Sequence, residues 1–569
     1  MNDDLSKIIP AEHRTDVQIR FSDGRVFNGP AGTRLEAFVR KAQNSHSIPV
    51  VAAVVNGRMA DLREPLIADV DAEAISLANE DGIRIYQRSL VLLLACAVRE
   101  LFNARISVES ALTFGGLFCR VLDRAPLTEA EIAQVEARMR LIISEDAPIR
   151  REVTPIDDAM AWFNAHGDPE QAGILSRINR TQVTLRSLRG VKEYFFGGLL
   201  VPSTGYLKQF GLITYTEGLA LQSPQKSRPT SLEPTRFSPK LMNIFREYGA
   251  WLNLLGVSDM DSLNQALTQR RARELILVAE ALHAQRIAEI ATQIAARRGQ
   301  VRLVAIAGPS SSGKTTFAKR LAVQLLANGM RPFPLSLDDY FVSRDETPRD
   351  ANGDYDYENI HALDLALLNE HLNALMNGTR IALPRYNFQT GEREPGPSVQ
   401  LTPDHVLLIE GIHGLNPQLA QVSSEKIFRI YISALTQLKL DRLNRVPTTD
   451  TRLIRRIVRD SQTRGYAARD TIARWESVRR GEDRNIFPYQ EQADVMFNSA
   501  LVYELAALKP LVEPLLQQVL PGTPEYIEAQ RLISFLKWFK ACETRFIPEV
   551  SILREFIGGS VVEDFIPQL

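Results

Sequence analysis

Cysteine is nearly absent: Cys96, Cys119 and Cys542 are the three thiols in a chain of 569 residues. They are far apart and odd in number, which excludes a disulfide framework and a CxxC metal knuckle, so a reducing, cytoplasmic setting is expected. Net charge is equally scarce, with 67 Lys and Arg against 68 Asp and Glu. Without a global basic field, non-specific binding to nucleic acid or to a membrane surface is not expected, and only local patches stay open. Long apolar runs are missing as well. The densest, Leu90 to Val98, is about half a bilayer span and runs into Arg99 and Glu100, so it reads as a buried helix. The opening residues, MNDDLSKIIPAEHR, have no apolar core of the kind a signal peptide needs, and secretion is not expected. No repeat of fixed period is visible.

What is present has ordinary globular proportions, 45% hydrophobic and 24% charged, which excludes a mostly disordered or fibrous chain. At roughly 150 residues per domain, the length predicts three or four domains. Alternating stretches from Val17 to Phe27 and from Val50 to Leu62 are broken by Asp23-Gly24 and Asn56-Gly57, both hairpin signals, with a short helix between them over Thr33 to Gln43. Two hairpins around one helix predict a small β-grasp module over 16–81. Residues 82–221 mix helical windows (Ser89 to Leu101, Glu129 to Ser144, Ile156 to Ala165) with short strands, an α+β domain. Pro224, Pro229, Pro234 and Pro239 recur at intervals of five and predict an extended linker over 222–240. In the helical connector 241–299, Ile276, Ala279, His283, Ile287, Ile290 and Ile294 form an amphipathic stripe, on which His283 reads as a packed residue. Over 300–510, the apolar runs Val301 to Ala307, Phe333 to Leu337, Val406 to Ile409, Ile427 to Ile432 and Val495 to Phe497 alternate with helical stretches. That is the pattern of a parallel sheet covered on both faces. The remainder, 511–569, reads as helical, with one long amphipathic candidate starting at Thr523.

Gly308-Pro-Ser310-Ser311-Ser312-Gly313-Lys314-Thr315 fits GxxxxGK[ST] between an apolar strand and a helical stretch that continues from Thr316. The glycines let the backbone wrap with its N–H groups inward, and the helix that follows presents a positive N-terminus to a phosphate. Lys314 is expected on the β- and γ-phosphates of ATP, and Thr315 on Mg²⁺. Leu335-Ser-Leu-Asp338-Asp339-Tyr340-Phe341 places carboxylates at the end of the second strand, where open α/β sheets bind ligands. His405-Val-Leu-Leu-Ile-Glu410 is an apolar strand ending in an acid, suited to a Mg²⁺ hydration shell. Residues 442–484 hold twelve arginines, no lysine and six acids. A mobile arginine helix closing over ATP is the expected reading. A solvated helix with i,i+4 pairs and an RNA-binding stripe are the alternatives.

Six ordered segments, GPSSSGKTT, LSLDDYF, LPRYNFQTGER, VLLIEGIHGL, DTRLIRRIVRDSQTRG and ADVMFNSALVYEL, resemble the uridine kinase and phosphoribulokinase family of P-loop kinases. The resemblance implies an α/β fold, ATP and Mg²⁺. It implies Asp338 as general base, Glu410 with Thr315 and Asp338 at the metal, and Arg456, Arg459 and Arg464 as lid arginines. It also implies Tyr340, Phe341, Tyr386, Phe388 and Arg393 around the acceptor, with Asp356 or Glu358 as the ribose-holding carboxylate. Two positions depart from the family: Gly391 stands where uridine kinases carry a base-reading histidine, and Tyr466 replaces a lid arginine.

Residues 16 to about 221 resemble the N-terminal part of threonyl-tRNA synthetases, a TGS-like β-grasp module followed by an editing-like domain, most clearly at Leu200-Val-Pro-Ser-Thr-Gly-Tyr-Leu-Lys-Gln-Phe210. The editing motifs HxxxH and CxxxH become Arg88 and Leu92, and Phe196 and Leu200. A scaffold without bound metal or deacylation is therefore expected.

The combined expectation is a multidomain ATP-dependent kinase of a small-molecule acceptor, a nucleoside 5′-hydroxyl or similar sugar hydroxyl. A kinase of a non-nucleoside hydroxyl, on a sugar phosphate or a pantothenate-like acceptor, and an RNA-linked P-loop ATPase or regulator are the rivals. RNA or tRNA binding by the N-terminal modules and a homo-oligomer stay open. Gly558-Gly559 reads as a helix-ending turn rather than an anion-binding one.

Overall fold

Turn chemistry shapes the first sheet. Asn56 and Gly57 take φ of 48° and 76°, the left-handed pair that joins two strands in a tight hairpin, here Val50–Val55 and Arg58–Ala60. The computed structural model describes residues 14–43, 48–178, 180–196, 198–349, 353, 355–387 and 389–565. They fall into two compact units: residues up to 236 with 441–444 and 521–527, and the rest.

In the first unit, five strands run in the order Val26–Pro30, Asp16–Phe21, Val70–Ser76, Val50–Val55, Arg58–Ala60, with Asp16–Phe21 parallel to Val70–Ser76 and every other pairing antiparallel. Helix Leu35–Ala42 contributes Leu35, Phe38 and Val39 to their core. The apolar run at 90–98 lies in helix Glu80–Phe102, buried throughout and capped by the Asn79 side chain on the Asp81 N–H. It packs with a four-stranded and a three-stranded antiparallel sheet and helix Glu129–Ser144. Arg442 belongs to this unit, where its guanidinium donates to Glu193 and Asp168.

The second unit is built on a five-stranded parallel sheet, in the order Arg331–Ser336, His405–Glu410, Leu303–Ala307, Ile427–Ser433, Val495–Asn498. Helix Ala272–Ala296 buries the predicted stripe. His283 lies within it against Phe497, and burial pushes its imidazole down to about 3.

Two sequence expectations need correction. Pro239 does not end a linker but opens helix Pro239–Leu255: its missing N–H is one of the donors that a first helical turn leaves unpaired anyway. The long helix expected from Thr523 is instead Tyr526–Leu536, followed by loops and the four-residue helix Arg554–Ile557. Hairpin Ile381–Asn387 with Glu392–Val399 was not foreseen, because its prolines masked the alternation. Gly558, at φ 80°, ends the short helix as expected. Among the described residues no helix is long and apolar enough to cross a membrane.

Candidate functional site

Parallel register gathers the site. Glu410 is the register partner of Ser336 on one side and of Ile306 on the other, so the ends of three adjacent strands deliver Asp338, Glu410 and the loop 308–315 to one place. The loop tolerates only glycine at both ends. A Cβ on Gly308 would lie 1.9 Å from the Ile432 carbonyl oxygen, and Gly313 adopts φ +87° as the cap of helix Lys314–Ala327.

Four side chains pin the loop from outside. Arg452 donates to the Ser310 carbonyl at 3.1 Å, Arg455 to that of Ser311 at 3.4 Å, and Ser499 Oγ to that of Ser312 at 2.5 Å, while the Ser310 N–H donates to Glu482 at 2.9 Å. Arg452 pairs with Glu482 and Arg455 with Glu504, all of them fully buried. Lys314 Nζ donates to the Pro309 carbonyl at 3.1 Å, and Thr315 Oγ1 to Glu410 Oε1 at 3.1 Å. The Ser311 and Ser312 hydroxyls are buried with no hydrogen-bond partner among the described residues. Thr316 is buried at the start of the helix.

The carboxylates are held out of their usual range. Burial pushes Glu410 up to about 7; Lys314 opposes this, and Asp338 and Glu555 add to it. Asp338 meets solvent at the mouth of the site but is otherwise walled in by protein, which raises its carboxyl despite Lys314. Glu358 is raised to about 7, chiefly by burial and then by Glu482, and its Oε2 is buried with no partner among the described residues. Asp339 accepts from the Tyr386 N–H at 3.2 Å, so its carboxylate is engaged in the chain itself.

The residues predicted around the acceptor divide. Phe341 packs at a tilt against Tyr386 at 5.6 Å and edge-to-face against Tyr357 at 6.2 Å, forming an aromatic wall near Asp356 and Glu358. Tyr357 was missed, although the run Tyr355-Asp356-Tyr357 offered the signal. Tyr340 requires correction: it is wholly buried and its hydroxyl meets His371 Nδ1 at 3.1 Å, so it packs under the site rather than lining it. Arg393 is committed to Asp364 at 2.9 Å. Phe388 lies outside the described residues.

The arginine segment does not form one lid. Arg442 is buried in the first unit, and Arg452 and Arg455 hold the loop. Arg456, Arg459 and Arg464 converge on Asp460, at 3.2, 3.2 and 3.5 Å, and Arg456 also reaches Ser310 Oγ at 2.9 Å. Sequence reasoning missed Arg452, Arg455, Glu482, Glu504 and Ser499 because nothing in residue type separates a buried arginine from a mobile one.

Residues 303–506 match the model of the phosphoribulokinase / uridine kinase family. A uridine kinase of Deinococcus deserti is 30% identical over 201 residues, which cover 35% of this chain and 88% of that protein. The chain belongs to the phosphoribulokinase and uridine kinase family. Its N-terminal region is similar to threonine–tRNA ligases: that of Bacillus velezensis is 29% identical over 201 residues, 35% of this chain and 31% of the ligase. The chain thus spans about a third of the length of the ligases it matches. Among solved structures, a possible uridine kinase from Bacillus stearothermophilus is 21% identical, with a TM-score of 0.27, covering 37% of this chain and 97% of that one.

Proposed function

We propose that this chain is an ATP-dependent kinase that phosphorylates a hydroxyl of a small sugar-like acceptor. The observation that carries this reading is the convergence of Lys314, Thr315, Glu410 and Asp338 at the ends of three parallel strands, with Thr315 bonded to Glu410. Two buried serine hydroxyls without partners and a glycine-lined loop suit the phosphates of a nucleotide. Asp338 takes the proton of the acceptor hydroxyl as its oxygen bonds to the γ-phosphorus and the β–γ bridging oxygen leaves with ADP. Lys314 and Arg456 offset charge on the transferred group, with Arg459 and Arg464 beside them. Thr315 and Glu410, near Asp338, would hold Mg²⁺, which supplies further charge neutralisation when bound. Mg²⁺ is commonly bound through one or two carboxylates and substrate phosphates rather than by a dedicated protein cage.

The acceptor wall of Phe341, Tyr357 and Tyr386, with the unpartnered Glu358 Oε2, suits a sugar face with hydroxyls to donate. Base reading is weak. A Cβ on Gly391 would lie within 2.9 Å of Arg344 side-chain atoms, so the family's histidine has no room there. A panel of nucleosides, sugars and sugar phosphates assayed for ATP-dependent product tests the reading. Phosphorylation of at least one hydroxyl acceptor is expected, with little preference for uridine; a uridine preference of about 10⁴-fold or more would restore a base-specific contact.

For the N-terminal region, the strand order of the first sheet and the ligase similarity support a TGS-like β-grasp module followed by an editing-like scaffold. Leu92 and Leu200 are core residues there, and Arg88 covers Gly198. Neither bound zinc nor deacylation of charged tRNA by the full chain is the expected outcome, and measurable deacylation would overturn it; tight, salt-dependent tRNA binding would favour the RNA-linked reading instead.

A further inference from the structure

Residues beyond the family-matched segment reach the phosphate loop. The Thr316 N–H, in the first turn of helix Lys314–Ala327, donates to Glu555 Oε2 at 3.1 Å. The chain around Glu555 lies on the same loop: a Cβ on Gly313 would fall 2.4 Å from Ile552 Cγ2. This turn is well anchored. Ser551 donates to Glu280, Phe556 lies under the Arg455 guanidinium at 5.0 Å, and Arg554 donates to the Ile547 carbonyl at 2.6 Å.

Two carboxylates therefore occupy N–H donors of the loop, and they differ in kind. Glu482, on Ser310, is fully buried and neutralised by Arg452. Glu555 is only partly buried and has no ion pair among the described residues; its negative charge rests on the helix N-terminus. The first-turn N–H groups of such a helix are also the donors a polyphosphate uses, and one N–H cannot serve a carboxylate and a phosphate oxygen together.

We propose that Glu555, held on the turn 551–558, is a built-in competitor for the phosphate loop: it occupies the Thr316 N–H until a nucleoside polyphosphate displaces it. Nucleotide occupancy and the position of this turn are then coupled. The proposal rests on the nucleotide reading of the loop given above. If the competitor-free state is about one tenth populated, removing the carboxylate tightens binding about tenfold.

The test uses the full chain, with ATP and tripolyphosphate as probes, in calorimetric titrations of wild type, Glu555→Gln, Glu555→Ala and Lys314→Ala. Glu549→Gln, at an exposed acid of the same segment, is the control. Glu555→Gln and Glu555→Ala are expected to bind both probes about tenfold more tightly, with Glu549→Gln unchanged. In wild type, ATP should increase hydrogen exchange over 549–565, a readout that survives if a variant fails to fold. Unchanged or weaker binding by the Glu555 variants, with Lys314→Ala abolishing it, overturns the competitor and leaves the nucleotide reading standing. Absence of binding by wild type and all variants overturns both.

Discussion

The two regions treat chemistry-bearing positions in opposite ways. In the N-terminal unit, Leu92 and Leu200, at positions where the synthetase editing motifs carry histidine, are fully buried apolar residues. In the kinase unit, Glu410 and Glu358 remain acids although burial lifts both to about 7. An apolar side chain stabilises where it is buried, whereas a recessed carboxylate destabilises. The residue types at the first set are those that packing favours. At the second set packing opposes the charge, and a costly charge in a cleft is the physical mark of a candidate working site.

Substitutions at four places probe this difference between the regions. The largest effect is expected at Asp338: Asp338→Asn keeps the shape but cannot take a proton, and turnover should fall about 10²- to 10⁴-fold while ATP affinity survives. Steady-state rates beside ATP titrations check this; near-normal turnover would move the base to another group. Lys314→Ala should instead lose ATP binding and turnover together.

Next is the buried pair behind the loop. Arg452→Met takes from the fully buried Glu482 its closest cation, leaving Arg479 at 3.7 Å as the remaining one, and should lower stability by about 3 kcal/mol in denaturant titrations. The double variant with Glu482→Leu should recover much of that loss, which a purely additive pair would not show.

Leu92→Ala should cost about 2–5 kcal/mol through cavity formation, with turnover per folded molecule unchanged. A loss of turnover in the folded variant would show that the N-terminal unit is more than a scaffold for the reaction.

The smallest effect carries a pH signature. Glu358 is raised from about 4.5 to about 7 in the native state by burial, Glu482 and Asp356, against Arg456 and Lys314. The native protein therefore holds a proton that the unfolded chain has released. Its contribution to stability falls as pH rises from about 4.5 to 7, and stays lost above that. Glu358→Gln should stabilise the protein at pH 8 by roughly 1–3 kcal/mol and have little effect at pH 4, as measured by thermal unfolding at both pH values. Equal effects at both would remove the titration of Glu358 as the cause.

Much of this was legible because it is local or periodic. The Asn56-Gly57 turn, the helix Glu129–Ser144 and the GxxxxGK[ST] loop each rest on a few neighbouring residues whose backbone demands are steep. The hairpin 381–399 was hidden by its prolines, and Pro239 misled because a proline that breaks a helix interior is welcome at its first position. Tyr340 misled because neighbouring residues of a tight turn point to different sides, and only packing against His371 shows which one it takes.

Spacing and residue type along the chain define the phosphate loop, the strand ends that carry Asp338 and Glu410, and membership of a kinase family. Tertiary structure alone decided which arginines are fixed and which face the site. Arg452 and Arg455 share residue type and helix with Arg456 and Arg459, and all four meet buried acids, but the first two are themselves fully buried whereas the other two stay partly exposed. It also decided that Glu555 meets Thr316 across 239 residues of chain. The reason is physical: hydrogen bonds and burial depend on proximity in space, and proximity across long sequence separations exists only once the sheet has assembled and its loops have closed.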